Sequence, residues 1–289
     1  MIILVFLAQT LRIVMPYLFA ASGGVIAERS GVISLTLEGL MLGGAFGAAL
    51  ASYYFGSAWA GVAAGVGTGV GIALFYGLVV IRFRADQVVV GIALNLLIMA
   101  LTRFFLQYGF DSASNSPRVP GIDAGSGIFG FLANPLVWVG IFALPAVQWV
   151  LNRTVFGLRV RAVGEHPEAA ASVGVSVHRI RYTAVALSGA LAGLGGVYLA
   201  LDQHQFTDGM TSGRGFIAIA AVIFGRWEPM RVAVACLLFA AAEALQIQLQ
   251  GAQVLPSQFV SMIPYLLTII ALAGVVGRAV APSALGKPA

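Results

Sequence analysis

Apolar runs of about 20 residues, long enough for a helix to cross a hydrocarbon core about 30 Å thick, recur along most of this chain. Hydrophobic residues make up 60% of the 289 positions and charged residues 9%, a composition that indicates an integral membrane protein rather than a soluble one. Helices satisfy their own backbone polar groups in lipid. We therefore predict an all-α, polytopic membrane protein with a single transmembrane domain over residues 1–289.

We predict about nine transmembrane crossings, counting short or broken segments. Eight are long apolar runs, at 13–28, 36–55, 57–82, 87–108, 133–152, 181–201, 230–249 and 255–277. The ninth, 215–226, is shorter than an ordinary span but must cross if both ends of the chain are to fit the charge distribution. A signal peptide carries its basic residue before the apolar stretch, whereas Arg12 lies inside the first run, so we expect an uncleaved first span.

The arginines predict the orientation of the chain. Segments 82–86 and 152–181 together hold seven arginines and are separated by two predicted spans, so they face the same side. By the positive-inside rule that side is the cytoplasm. The Gly-, Ser- and Pro-rich loop 110–127 carries one arginine and is predicted to lie outside. With Arg278 and Lys287 also inside, the amino terminus lies outside and the carboxyl terminus inside.

Glycines recur at four-residue spacing within the apolar runs. The sets are Gly61, Gly65 and Gly69, Gly43 and Gly47, and Gly189 and Gly193. Small residues at this spacing let helices approach each other closely in membranes. We therefore predict helix packing at these positions.

The chain lacks the sequence features of an ATPase or another enzyme. A phosphate-binding loop of the form G-x-x-x-x-G-K-[S/T] needs a lysine, and the single lysine, Lys287, is followed by Pro288. Three histidines are too scattered to predict a metal site: His166, His178 and His204. No nucleophile and base pair stands out, so we expect a non-enzymatic chain with no metal and no cofactor of its own.

A short polar stretch, GEHPEAAASVGV at 164–175, lies between two apolar runs on the arginine-rich side. Pro167 suits a first helical turn, Glu168 favours the positive end of the helix dipole, and Gly174 is placed to end the helix. The pattern predicts a helix of about two turns, which is too short to stand without packing partners. Helices on lipid headgroups carry large apolar and cationic faces, so we favour docking to a cytoplasmic partner over a lipid surface.

Polar side chains inside apolar runs are candidates for function, because they are costly in hydrocarbon. We expect Glu38 either to contact substrate or to accept hydrogen bonds from the free backbone N–H groups of a broken helix. Glu243 is followed by glutamines, and a structural role is favoured for it. Asn95 must find a partner on a neighbouring helix or face a cavity. Asp86 immediately precedes an apolar run and predicts a helix cap.

Two interrupted apolar segments, 31–39 and 215–227, lie in separate halves of the chain. Paired broken helices often mark a midplane binding site in transporters. Together with the polar positions they predict a substrate pathway lined by Glu38, Asn95 and Phe216. The clear ionisable groups in the runs are acidic, which disfavours anions, and the buried polar groups would serve no purpose for a lipid. A small, neutral, polar solute remains, and composition does not separate sugars from nucleosides.

Four stretches, in order and with their spacing, carry a resemblance over almost the whole chain. They are ERSGVISLTLEGLMLGGAFGA (28–48), ADQVVVGIALNLLIMALTRF (85–104), GLRVRAVGEHPEAAASVGVSVHRIRYTAVALSGALAGLGGVYLAL (157–201) and GMTSGRGFIAIAAVIFGRWEP (209–229). The chain resembles permease subunits of ATP-binding-cassette importers of the ribose, simple-sugar and branched-chain amino-acid type. SLTLEG together with GFIAIAAVIFGRW is most similar to the nucleoside-importing subgroup. ISLTLEG departs from the family pattern, which has Asn and Gly in its first half.

The resemblance implies partners and a location. The loop at about 153–180 would couple to a cytoplasmic ATPase subunit through Gly164, Glu165, Pro167, Glu168, Ala169, Ala170 and Gly174. ATP and magnesium would bind to that ATPase. A second permease chain, forming a homodimer or a heterodimer, and an extracytoplasmic substrate-binding protein are also implied. The resemblance places the chain in the bacterial cytoplasmic (inner) membrane and implies no contact with nucleic acid.

Three alternatives to a nucleoside importer stay open. The chain could be the permease of a simple-sugar importer of the ribose type. It could be a proton-coupled secondary transporter that uses Glu38 and Glu243 as proton carriers, but that leaves the capped cytoplasmic helix unexplained. A membrane scaffold that moves nothing leaves the buried carboxylates unexplained.

Overall fold

A computed structural model describes residues 2–122, 125, 130–252, 262 and 280–287 of the chain. Within these residues the structure is helical and contains no strand, which confirms the all-α prediction. The helices are α1 (Ile2–Arg29), α2 (Leu37–Phe55), α3 (Ala58–Gly77, continued by the π-helical turn Leu78–Arg82), α4 (Gln87–Phe110), α5 (Pro135–Arg153), α6 (Val155–Glu165), α7 (Pro167–Ser172), α8 (Val177–Gln203), α9 (Arg214–Phe224) and α10 (Pro229–Ala252).

Six of the described helices are long and apolar enough to cross a membrane: α1, α3 with its extension, α4, α5, α8 and α10. They correspond to predicted spans 13–28, 57–82, 87–108, 133–152, 181–201 and 230–249. Helix α2 covers predicted span 36–55 and α9 covers most of 215–226, but neither is among the six. Predicted span 255–277 lies outside the described residues. The count of about nine crossings therefore stays a prediction.

One element boundary differs from the predictions for a physical reason. The first span begins well before residue 13, because Arg12 does not interrupt the helix and its guanidinium pairs with Asp202 at 2.8 Å. The short helix predicted to begin at Pro167 and to end before Gly174 is found as α7, Pro167–Ser172. His166 separates it from helix α6, which ends with Gly164 and Glu165, because proline disfavours a helical conformation in the residue before it. The sequence analysis missed α6, although the Thr154 side chain caps it at Gly157.

Helix α8 lies at the centre of the fold, packed against α1, α2 and α3. The predicted glycine contacts are confirmed where these helices cross. A Cβ atom added to Gly69 would lie 2.3 Å from the carbonyl oxygen of Gly189, and one added to Gly189 would lie 2.5 Å from that of Gly69. A Cβ on Gly65 would lie 2.6 Å from the carbonyl oxygen of Gly44. Backbones this close exclude any side chain at these positions.

Helices α1 and α8 run antiparallel, which defines two ends of the fold. At one end Arg12 pairs with Asp202, and loop 111–122 hydrogen-bonds to residues 204–208, for example from Val119 N to His204 O at 2.8 Å. We call this the loop end. At the other end the last turn of α1 lies beside α6 and the first turns of α8. We call it the arginine-rich end.

The segment after α8 connects these two ends. Residues 204–213 leave α8 at the loop end without forming a helix, and α9 follows. Beyond α9, the Trp227 carbonyl accepts a hydrogen bond from Arg29 Nε at 3.0 Å, at the arginine-rich end. The chain therefore passes from one end of the fold to the other through an irregular half and a helical half.

The predicted cap of α4 is also confirmed. Asp86 Oδ1 accepts hydrogen bonds from the backbone N–H groups of Val88 and Val89, each at 2.9 Å. These donors have no partner within the helix, so the side chain fixes where α4 begins.

The close glycine contacts predict a position-specific cost on helix α3. Gly69→Ala should lower the free energy of unfolding by about 1–3 kcal/mol, because the new methyl group forces α3 and α8 apart. Gly67→Ala and Gly71→Ala are matched controls on the same helix, since an added Cβ meets no atom within 4 Å at either position. Thermal unfolding of the purified protein in detergent measures the difference. Equal melting temperatures for the three variants would contradict the proposed packing.

Candidate functional site

A cavity of about 280 Å³ lies between α2, α4 and the start of α9. Glu38, Asn95 and Phe216, the three residues predicted to line a pathway, all contribute to its wall. The other lining residues are Gly39, Leu42, Ile92, Leu96, Met99, Gly209, Thr211, Ser212 and Gly213. The structure thus brings together residues from both interrupted segments, whereas their role in binding a solute stays a prediction.

Glu38 caps the first turn of α9. Its Oε1 accepts hydrogen bonds from Thr211 Oγ1 at 2.6 Å and from Gly213 N at 2.8 Å, and its Oε2 accepts one from Gly215 N at 2.7 Å. The first N–H groups of a helix lack intrahelical partners, and a carboxylate at this positive end of the dipole is favourable. The geometry therefore matches the structural interpretation of Glu38, while its side chain still faces the cavity.

Asn95 performs the corresponding task for the other interrupted segment. Its Oδ1 accepts a hydrogen bond from Gly39 N at 2.9 Å, and its Nδ2 donates to Leu35 O at 2.8 Å. Asn95 on helix α4 therefore binds the backbone where the segment between α1 and α2 ends and α2 begins. The amide is paired on both its oxygen and its nitrogen, which is what a polar group in a membrane span needs.

The exposed part of the cavity wall is mainly apolar. Phe216, in the first turns of α9, is 46% exposed, and Ile92, Leu96 and Met99 on α4 are also exposed. Among the described lining residues there is no basic side chain. The arrangement offers an aromatic ring, an aliphatic wall and a rim of polar groups that already have partners. It suits a neutral molecule with a flat ring and does not suit a phosphate or other anion.

Glu243 on α10 takes part in a charge pair. Its Oε1 lies 3.0 Å from Arg214 Nη2, and its Oε2 accepts a hydrogen bond from the Tyr17 hydroxyl. Arg214 also donates from Nη1 to Met210 O at 3.0 Å. The structural role favoured for Glu243 is consistent with this geometry. The sequence analysis did not single out Arg214, because a pair separated by 29 positions leaves no periodic signal.

The sequence analysis missed one buried carboxylate, Glu28, which lies near the carboxyl-terminal end of α9. Glu28 is 3% exposed and accepts hydrogen bonds from Ser34 Oγ at 2.7 Å and from Trp227 Nε1. The signal was present in the sequence, because a glutamate at the end of an apolar run is costly in hydrocarbon.

The residues predicted to couple to an ATPase separate into two groups. Glu165, Glu168, Ala169 and Gly174 are exposed, and Pro167 is half-buried; Gly164 and Ala170 are buried. A Cβ on Gly164 would lie 2.1 Å from Arg29 O, and the Gly164 carbonyl accepts a hydrogen bond from Ala284 N at 2.9 Å. Gly164 therefore serves packing against α1, and the exposed surface of α7 centres on Glu168, Ala169 and the adjacent Val173, which is 78% exposed.

Known proteins similar to this chain include membrane permeases. Residues 6–272 match the family described as branched-chain amino acid transport system / permease component. The guanosine ABC transporter permease protein NupQ of Bacillus subtilis (strain 168) is 38% identical, covering 99% of this chain and 97% of that protein. The nucleoside ABC transporter permease protein NupC of Lactococcus lactis subsp. cremoris (strain MG1363) is 36% identical, covering 94% of this chain and 92% of that protein.

A third relative is named for a different solute, glucose. The putative glucose ABC transporter permease protein TsgC13 of Haloferax volcanii is 36% identical, covering 81% of this chain and 74% of that protein. The matches confirm the resemblance to permease subunits of ATP-binding-cassette transporters. The chain belongs to the branched-chain amino acid transport system permease family, as a multi-pass membrane protein.

Proposed function

We propose that this chain is the permease subunit of an ATP-driven importer for nucleosides. The observation that carries the proposal is near full-length similarity to permeases named for guanosine and for nucleosides. The cavity supports it, because the exposed aromatic ring of Phe216 can stack on a base. The described lining residues include no basic side chain that would bind an anion. Its volume of about 280 Å³ is near the lower end of the range of about 300–1,000 Å³ for small-molecule sites.

We infer that residues 1–289 form one transmembrane domain with about nine crossings. Helix α9 has 11 residues and is about 16 Å long, roughly half of a hydrocarbon core. The irregular residues 204–213 supply the rest of that crossing, which leads from the loop end to the arginine-rich end. Irregular backbone inside a membrane requires partners within the protein, and Glu38 supplies them at Gly213 and Gly215.

In this proposal the arginine-rich end faces the cytoplasm of a bacterial cell and the loop end faces outward. The exposed surface of α7 docks to a separate ATPase subunit, which binds ATP and magnesium. A second permease chain completes the membrane assembly, and an extracytoplasmic substrate-binding protein delivers the nucleoside to the loop end. The chain itself then needs no cofactor, since the energy comes from the ATPase.

A simple-sugar importer is the second candidate, and the relative named for glucose is the observation that favours it. A proton-coupled transporter is less well supported by the contacts. Glu38 accepts three hydrogen bonds and Glu243 is paired with Arg214, so both carboxylates already have structural contacts that account for their presence without proton transport.

The docking proposal predicts the effect of charge reversal on α7. Glu168→Arg combined with Ala169→Arg should leave the permease folded, because both side chains are exposed, and should weaken its association with the ATPase by about tenfold or more. Ser114→Arg, an exposed position at the loop end, is the matched control. Co-purification from detergent extracts measures association. Undiminished recovery of the ATPase with the double variant would show that α7 is not the docking surface.

The substrate proposal predicts which solutes accumulate in vesicles that contain the complete transporter. Labelled nucleosides should enter in an ATP-dependent manner, and labelled pentoses supplied in parallel should not. Phe216→Ala should raise the half-saturating nucleoside concentration by about tenfold, which is the scale of one base–aromatic stacking contact. Phe142→Ala, an exposed phenylalanine on α5 outside the cavity, is the control.

Two outcomes of this experiment would contradict the proposal. Accumulation of pentoses but of no purine or pyrimidine nucleoside would favour the simple-sugar importer. Uptake that persists without ATP and stops with a proton uncoupler would favour the secondary transporter.

A further inference from the structure

Helix α9 is held at both ends by carboxylates from one short stretch of chain. Glu38 accepts three hydrogen bonds at the start of the helix, as described above. Glu28 acts at the other end, where its Oε2 accepts a hydrogen bond from the indole Nε1 of Trp227, three residues beyond the end of α9. The short helix is therefore fixed to the segment 28–38 at both of its ends.

Glu28 also fixes the interrupted segment to which it belongs. Its Oε1 accepts from Ser34 Oγ at 2.7 Å and from Ser34 N at 3.4 Å. Glu28, Ser34 and Trp227 are 3%, 2% and 5% exposed. Both oxygens of the buried Glu28 side chain are paired, so separating it from Ser34 or Trp227 would leave a buried polar atom without a partner, at a cost in free energy.

The backbone at Trp227 adopts a conformation that needs outside support. Arg226 and Trp227 have φ angles of 53° and 56°, in the left-handed region that side chains other than glycine rarely adopt. The Trp227 side chain is bound by Glu28, and its carbonyl oxygen is bound by Arg29 Nε at 3.0 Å. Strained residues persist where surrounding contacts determine them, and such residues cluster at switching regions. The last turn of α1 therefore sets where α9 ends.

The same turn of α1 lies against α6, which directly precedes α7, the helix proposed to dock to the ATPase. A Cβ on Gly164 in α6 would lie 2.1 Å from Arg29 O, so the two backbones are in direct contact. The carboxyl-terminal residues 282–287 also join the two segments, from Ala284 N to Gly164 O at 2.9 Å and from Gly286 N to Gly31 O at 3.1 Å. Helix α6 and residues 29–31 are therefore in direct contact, with no gap between them.

We propose that Glu28 is a positioning residue for transport, which fixes α9 to the last turn of α1 so that displacement of α6 moves Phe216 and the cavity wall. The contact route runs from α6 to Arg29, from Glu28 to Trp227, and along α9 to Phe216. This inference rests on the proposed importer function, because it requires a separate ATPase that drives α6. It assigns Glu28 no contact with the solute and no proton transfer.

The test compares substitutions at Glu28 in the purified transporter with its ATPase, reconstituted in vesicles. Glu28→Ala removes both links and should lower the maximal rate of nucleoside uptake by about tenfold, the scale of leaving one buried hydrogen-bond donor unpaired. The half-saturating concentration should stay within about twofold of wild type, because the solute does not touch Glu28. The number of ATP molecules hydrolysed per nucleoside should rise, since hydrolysis continues while motion no longer reaches the cavity.

Two further variants separate positioning from other roles. Glu28→Gln can accept from Trp227 Nε1 and donate to Ser34 Oγ, and it loses only the long hydrogen bond from Ser34 N at 3.4 Å, so it should restore uptake to within about twofold of wild type. Glu228→Ala is the matched control at the same end of α9, since Glu228 is half-exposed and pairs with Arg231 at 2.8 Å instead of with Trp227. Trp227→Phe removes the indole N–H and one ring of the side chain while keeping an aromatic residue, and should raise the ATP cost per nucleoside in a complex that assembles normally.

The contrary results are distinct from one another. A Glu28→Ala complex with the wild-type ratio of ATP to nucleoside, per assembled transporter, would overturn the inference, as would an unchanged ratio in Trp227→Phe. A Glu28→Gln variant as inactive as Glu28→Ala would also overturn it and would indicate that Glu28 carries a proton. A wild-type complex that hydrolyses ATP but moves no nucleoside would instead overturn the proposed function.

Discussion

The backbone N–H groups at the start of α9 must find partners inside the protein, and the Glu38 carboxylate provides them. Without it, the N–H groups of Gly213 and Gly215 would lose these acceptors, and the proposed position of α9 in the membrane leaves no water to replace them. This single requirement brings α2 to the start of α9 and forms one wall of the cavity. Asn95 meets the same requirement for Gly39 and Leu35, and so brings α4 to the opposite wall. The cavity thus lies where two breaks in helical structure are repaired by side chains.

The remainder of the described fold provides a rigid frame for these breaks. Helices α2, α3 and α8 approach so closely through Gly44, Gly65, Gly69 and Gly189 that no side chain fits between them. Helix α9 is short: Ala218, Ala221 and Val222 pack into the same core, and polar contacts hold its two ends. In the proposed coupling the closely packed frame stays fixed while α9 moves the cavity wall, since packed interfaces keep discrete arrangements.

The sequence predicted the features that depend on local pattern. Apolar length identified the six long helices, glycine spacing identified positions of close helix packing, and the position of Asp86 identified a helix cap. Cost in hydrocarbon was enough to select Glu38 and Asn95, which meet Phe216 in one cavity. The pairs Glu28–Trp227 and Arg214–Glu243 join residues far apart in the chain, so no periodicity revealed them. Pro167 identified the start of α7, whereas the sequence analysis missed α6 on the other side of His166.

The central claim is that a nucleoside occupies the cavity at the start of α9, and protection from labelling tests it most directly. Ser212 is exposed and lines the cavity, whereas Ser114 is exposed at the loop end. In the assembled transporter, saturating nucleoside should slow the reaction of Ser212→Cys with a small thiol reagent several-fold and leave Ser114→Cys unchanged. The native Cys236 is fully buried and should not interfere. Equal labelling rates at Ser212→Cys with and without nucleoside would contradict the account.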